Sequence, residues 1–409
     1  FTGQEGNQGP YKLKGNNGEL YVLVISGSER VYVNGKLLTR GENNDYLIDY
    51  NAGEIIFTSL YPISSEMRIV VEYQYSDRNY SRFIAYAGAT HQTENWNFGG
   101  HFYSESDIKN QPLQQNLTSS QLSILQQAGD DTSLMTAPSA YIDTYSDNKI
   151  LYQKITLNGV ERFVYSNDPN AELYNVKFTF VGNNAGNYAI SVANTIGKIY
   201  QYIEPINGIP QGNYSPVSQI IAPTKIQIAS FFGKYNPSNK TRVAFEIGVS
   251  NNDLNLFSSI DDANNKGVAT QFEIKKKLSF SKISIDFFAN HQYIQQNFKP
   301  IERLFAIEFN RDWNLTVPQG NQSLLTAGLL FSFPQKNQIT YQIEQLDFSD
   351  TFSGTKHKIN AIFKTKSTTL TQNTSFLQSK GAVSNSKFIR NETQFQYQTK
   401  NKWAGASAR

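Results

Sequence analysis

Cysteine is missing from all 409 residues. Disulfides, thiolate metal sites and cysteine nucleophiles are therefore excluded together. Long apolar runs are missing as well: residues 21–25 form one of the longest, far short of the roughly 20 residues of a transmembrane helix. With a mean hydropathy of −0.47, no helical span is expected. A β-barrel stays open, because alternation hides its lipid face from such averages. Charge is scarce at 17% of residues, with a net charge of +3 and no basic block, so nucleic acid is not an expected partner. The chain opens FTGQEGNQGP, with neither the basic start nor the apolar core of a secretory leader. It ends in KWAGASAR, strand-like sequence with no turn after it, and an unpaired terminal edge is a liability. The expectation is a mature or partial chain whose sheet continues.

What is abundant is alternation. In residues 241–250, Val243, Phe245, Ile247 and Val249 alternate with Ala244, Glu246, Gly248 and Ser250. In residues 303–314, Phe305, Ile307, Phe309 and Trp313 alternate with Glu308, Asn310, Asp312 and Asn314. Period two at this length means strands with one apolar and one polar face. From residue 224 the expected strands follow quickly, at 226–235, 241–250, 268–278, 282–294, 303–315, 323–333, 338–348, 357–366 and 388–398. Upstream, residues 82–105 read as a hairpin with Phe83, Ala85, Ala87 and Ala89 on one side of its first strand. No repeat longer than a hairpin is present, which argues against a propeller or solenoid.

Residues 1–79 read as a small β domain. Asn34-Gly35 and Asn51-Ala52-Gly53 are hairpin turns between apolar-alternating runs. Glu29, Glu42, Asp45, Asp49 and Glu54 lack the spacing of a calcium loop and lie beside turns, where carboxylates are ordinary. Residues 106–223 break the strand pattern and read as a long insertion. Residues 118–127 (TSSQLSILQQ) are its one helix, capped by Thr118 or Ser119 and ended by Gly129. Residues 174–181 alternate again and are expected to rejoin the main sheet.

The stretch SGSERVYVNGKLLTRGENNDYLIDYNAGEI resembles the N-terminal domain of large, poorly characterised Bacteroidota outer-membrane proteins. FKPIERLFAIEFNRDWNL and QSLLTAGLLFSFPQKNQITYQIEQLDFSDTFSG are similar to barrel strands of that group. The resemblance implies an outer-membrane location and a non-enzymatic role, some such barrels accompanying the assembly or secretion machines of that membrane.

Three features favour lipid over a second sheet as the cover of the apolar face. The strands run long against the soluble average of about five or six residues. Arg303 and Arg311 bracket Phe305, Ile307 and Phe309, which puts their charge towards the rims. Trp313, Tyr293 and Tyr341 lie towards strand ends, as an aromatic belt does. Chemistry is thin. His91 and His101 share a hairpin several residues apart, and His291 and His357 have no second ligand at i+2 or i+4, so no metal site is expected. No nucleophile or phosphate-loop motif stands in a strand–helix context. Glu302, Glu308 and Asp312 read as lumen or rim residues rather than an acid/base pair.

The expected fold class is all-β: an antiparallel transmembrane β-barrel at 80–409, with a small N-terminal sandwich-like domain, periplasmic, and the insertion at 106–223. The expected function is that of a scaffold or accessory subunit in outer-membrane protein assembly or export. The partners are the lipid bilayer and other outer-membrane and periplasmic proteins. No catalytic residue, metal or cofactor is assigned. The alternatives are a pore for nutrients or glycans, and a soluble surface-anchored carbohydrate-binding or adhesive protein.

Overall fold

The computed structural model describes residues 1–15, 23–75, 79–113, 116–193, 198–315, 319–349, 351–382 and 384–408. The N-terminal domain is built from two three-stranded sheets. Tyr11–Lys12, Glu54–Phe57 and Tyr46–Asp49 make one; Lys36–Leu37, Arg30–Val33 and Ile69–Glu72 make the other. Alternation explains the pairing: Val31, Val33, Ile55, Phe57 and Ile69 all point into one buried cluster with Leu13, Tyr46 and Ile63. Asn34 and Gly35 both take positive φ, which the tight turn between Arg30–Val33 and Lys36–Leu37 requires. Four of the five acidic residues near these turns serve local roles, Asp45 accepting the Thr39 amide (2.7 Å). Glu29 pairs with Arg40 (3.2 Å), Glu54 with Lys12 (3.3 Å), and Asp49 accepts the amides of Asn51 and Ala52.

The rest of the chain is organised by one twelve-stranded antiparallel sheet. Its strands are β1 (Tyr80–Gln92), β2 (Trp96–Pro112), β3 (Lys225–Ser238), β4 (Thr241–Asp253), β5 (Lys266–Ser279), β6 (Ser284–Ile294), β7 (Gln322–Phe333), β8 (Asn337–Phe348), β9 (Phe352–Lys364), β10 (Thr368–Gly381), β11 (Asn385–Gln398) and β12 (Trp403–Ala408). Each pairs with its neighbours in the chain, so the sheet is a pure meander whose edges are β1 and β12. The sheet is open among the described residues.

Register sorts every side chain to a face, because residues directly opposite one another share one. Phe98, Gly233, Phe245, Phe272, His291 and Leu325 stand opposite in turn across β2 to β7. Leu329, Tyr341 and Ile359 carry the same face across β7, β8 and β9, and His357, Phe376 and Ile389 carry it on to β11. The opposite face carries Gly99, Phe232, Glu246, Gln271 and Gln292. Among the described residues nothing covers the apolar face: none of the three buried clusters draws on it. Phe231, Ile247, Phe272 and Ile359 remain 44–50% exposed. Charges on its paired residues are Lys225, Asp253, Lys266, Lys276, Asp347, Lys380 and Lys387, each within three residues of a strand end.

Three expectations are corrected. Residues 303–315 are not a strand: they belong to the β6–β7 connection, with a single helical turn at Phe309–Asp312. The alternation there reflects a segment that buries Trp313 against the sheet (2% exposed) and leaves Leu304 exposed. Trp313 is therefore no aromatic belt residue, and Arg303 and Arg311 do not bracket a lipid-facing strand. Residues 174–181 do not rejoin the large sheet, since Leu173–Asn175 and Thr179–Phe180 fall in two small sheets of the insertion. β10 carried no expectation because Thr, Gln, Asn and Ser occupy both of its faces. The insertion itself runs from 113 to 224, as β2 extends to Pro112. Its helix Ser119–Ala128 has the expected Thr118 N-cap, in a capping box with Gln121.

Ile55→Ala, at a fully buried site, is expected to cost about 2–5 kcal/mol, against roughly 0.5 kcal/mol or less for Leu47→Ala on the domain surface. Pulse proteolysis of the N-terminal domain in urea measures both.

Candidate functional site

The strand order gives the sheet two unlike ends. At one end all connections are short: 93–95, 239–240, 280–283, 334–336, 365–367 and 399–402. Local backbone bonds close them, such as Thr93 N to Trp96 O (2.7 Å) and Thr365 N to Thr368 O (2.9 Å). At the other end lie the insertion at 113–224, the loop 254–265, the β6–β7 connection 295–321, and the entry from the N-terminal domain into β1. Every long element therefore meets at one end, a sorting that hairpin lengths alone did not reveal.

Residues 295–315 form a strap that folds back onto the polar face. It starts as a continuation of β6, Gln295 exchanging bonds with Val268 (both 2.9 Å). Gly267 is required here, because a Cβ would collide with the Phe298 backbone. Farther along, Trp313 packs on Leu346, Phe348, Phe352 and Leu377, where the polar face turns apolar near its elaborated end. Lys356, 5% exposed, holds its Nζ 3.9 Å from the Trp313 ring centroid. Arg390 pairs with Asp312 (3.0 Å) and Asn314 Nδ2 donates to Ser386 Oγ (2.7 Å).

The middle of the strap holds the N-terminal domain. Arg303 donates to both carboxylate oxygens of Glu72 (2.6 and 3.1 Å) and lies 5.8 Å from the Tyr32 ring. This fork holds the Glu72 carboxyl below its ordinary range, chiefly through the hydrogen bonds. Glu308 sits between Arg68 (3.7 Å) and Arg311 (3.5 Å), against Gly35 of the Asn-Gly turn.

The insertion is anchored separately. The buried Asn255 amide donates to the carbonyls of Leu125 and Gly129 (both 2.7 Å), completing the helix C-terminus. Asp261 accepts the Asp130 amide (2.8 Å), and a Cβ at Gly129 would meet its carboxylate. Burial, reinforced by Asp261 and Asp253, pushes the Asp130 carboxyl up to about 6.

The histidines do not converge. His101 is on the polar face, opposite Gly88, its Nδ1 2.7 Å from Tyr86 Oη. His91, His291 and His357 are on the apolar face, opposite Phe98, Leu325 and Ile343. His291 meets Ser323 Oγ (3.0 Å) and His357 meets Tyr341 Oη (2.8 Å). Among the described residues no three His, Asp or Glu groups gather as for a metal ion. Of the carboxylates considered for acid/base work, Glu308 and Asp312 are tied into ion pairs and Glu302 stands at the lip of a cleft under the strap. Sequence reading missed the strap's bridging role. Its signal was Trp313 and the Arg303/Arg311 pair inside one alternating run, which reads equally as a strand.

Residues 1–77 match the model of a domain of unknown function, DUF8818. No curated protein and no solved structure matches the chain.

Two pH responses follow. The Glu72 carboxyl is depressed in the fold, so its contribution is complete above the ordinary carboxylate value and disappears as pH falls through the depressed one. Arg303→Ala is expected to speed amide exchange in the strap and Ile69–Glu72 at neutral pH, and to erase the acid-induced loosening. Asp130 is raised, so its stabilising neutral form is complete below the ordinary value of 3.8 and lost as pH rises through about 6. Asp130→Asn is expected to slow exchange of the Ser119–Ala128 helix above pH 6 and flatten its pH dependence.

Proposed function

We propose that the sheet is wall of a bacterial outer-membrane β-barrel, and that the protein acts without catalysis, as a scaffold or accessory subunit in outer-membrane protein assembly or export. One observation carries this reading: an uncovered apolar face running across the sheet, with its charges confined to strand ends. Eleven of the strands are 11–17 residues long, against the roughly 9–11 residues that cross a bilayer when tilted. Strands about 4.8 Å apart make this face about 50 Å wide, far beyond the apolar patch a soluble monomer tolerates. A polar patch interrupts it on β10 and β11. Gln372, Thr374, Asn391 and Thr393 bond to one another (2.6–2.9 Å for three of the contacts), the internal satisfaction that hydrocarbon demands.

A scaffold is favoured over an open pore because the strap occupies the polar face and ties the N-terminal domain to it. Meander parity also links two assignments: the N-terminal domain and the insertion share one side of the membrane. Short turns face the periplasm in bacterial barrels. Under that rule both stand outside, opposite to the periplasmic position expected from sequence.

Alkaline carbonate extraction of membranes from producing cells tests the membrane reading. The protein is expected to stay with lipid, and full release without detergent would overturn the proposal. Ile247→Arg, at the middle of the apolar face, is expected to cost about 2–4 kcal/mol of insertion and to lower the membrane-integrated fraction, whereas Ala244→Arg on the polar face leaves it unchanged. Single cysteines at Lys36, Asn158 and Asn239 are diagnostic in a cysteine-free chain. The first two are expected to react with an impermeant maleimide from the same side, and the third from the other. Steady single-channel conductance by the purified protein would favour the pore, and a fixed set of co-purifying envelope proteins the scaffold.

A further inference from the structure

The polar face carries a row of aromatic rings away from the strap. Tyr86, His101 and Phe232, on β1, β2 and β3, are nearly parallel. Their centroids are 5.8 Å apart at 16° for Tyr86–His101 and 5.6 Å apart at 13° for His101–Phe232. Glycines make room for them. A Cβ at Gly88 would collide with His101 Nδ1, and one at Gly99 would lie 3.1 Å from Phe232 Cζ. His101 and Phe232 therefore lean across a glycine of the neighbouring strand, and both line a cleft of about 370 Å³.

Hydrogen-bonding groups of both kinds surround these rings. Lys234, Arg242, Glu246, Gln271 and Glu273 are the cleft's polar lining, beside Ala244 and Phe245. Arg242 and Lys275 neutralise Glu273 (3.1 and 3.0 Å), and Lys234 Nζ lies 5.6 Å from the Phe232 centroid. Glu246 and Gln271 also line a second cavity of about 580 Å³, roofed by Phe298, Pro300, Ile301 and Leu304 of the strap. The two cavities adjoin at Glu246 and Gln271, so together they make a groove along the polar face.

We propose that this groove binds a neutral oligosaccharide. A pyranose lays its C–H face on the His101–Phe232 platform and directs its hydroxyls to Arg242, Glu246 and Gln271. The charge pattern selects the class. An anion meets the carboxylate of Glu246, a lone cation meets Lys234, and a wholly apolar ligand strips water from Glu246 and Gln271 without replacing it. A ring with one apolar face and a hydroxyl rim satisfies every group present. The site does not depend on what covers the apolar face, since the polar face is wet in either case.

Isothermal titration calorimetry of the detergent-solubilised full chain against maltohexaose, cellohexaose, chitohexaose, xylohexaose and mannohexaose tests it, with a heparin-derived hexasaccharide as the charged comparison. At least one neutral sugar is expected to bind. Phe232→Ala is expected to weaken that binding by about tenfold or more, Glu246→Gln to weaken it, and Phe232→Trp to retain it. Far-UV circular dichroism reports the fold of each variant. Failure of every neutral sugar to bind the native chain would sink the proposal. So would binding of the charged sugar alone, or undiminished affinity in both folded Phe232→Ala and Glu246→Gln variants.

Discussion

The structure depends on a demand that its own fold leaves unmet: one side of a twelve-stranded sheet is apolar, and nothing in the described chain lies over it. Covering a single Phe, Ile or Leu side chain gains about 1.5–3 kcal/mol. A face of this extent left in water forgoes tens of kcal/mol, set against a net folding stability of about 5–15 kcal/mol. Its cover is therefore a condition of the fold. Lys276, Asp347, Lys380 and Lys387 keep to strand ends, and His91, His291 and His357 carry ring or hydroxyl partners.

The other face obeys the opposite constraint. Several of its polar groups pair across strands, as Glu344 with Lys358 (2.7 Å) and Arg242 with Glu273, and others line clefts. Where it turns apolar, at Leu346, Phe348 and Phe352, the strap brings Trp313 to cover it. The strap thus works in two directions. Its aromatic end is held by burial, and its charged middle holds the N-terminal domain through Arg303 and Glu308. Glycines at 88, 99 and 267 set where rings and backbone approach the sheet closely, so they shape the polar face as much as its charges do.

Particular stretches show where sequence reading succeeds. Residues 241–250 alternate without interruption, 323–333 are rich in apolar residues, and both are strands to within a few residues. Thr118 and Gly129 bound the helix because capping chemistry is local. Residues 303–315 alternate equally well and are not a strand. Period two records which side chains are buried, and a strap lying on a sheet buries every second residue for part of its length. β10 shows the converse: cross-strand bonding to β9 and β11 makes a strand of TTLTQNTSFLQSKG although polar residues interrupt both of its faces.

Alternation, Asn-Gly turns and the absence of cysteine and long apolar runs determined by themselves that this is an all-β protein, a small domain joined to a long-stranded sheet. Those signals act over a few residues, where backbone geometry and side-chain periodicity are coupled. Only the tertiary structure decided that the long connections gather at one end, that 295–315 crosses the polar face to grip the N-terminal domain, and that three rings align beside Glu246. These depend on register and on contacts between residues as far apart as Glu72 and Arg303, and no local pattern carries distances of that kind.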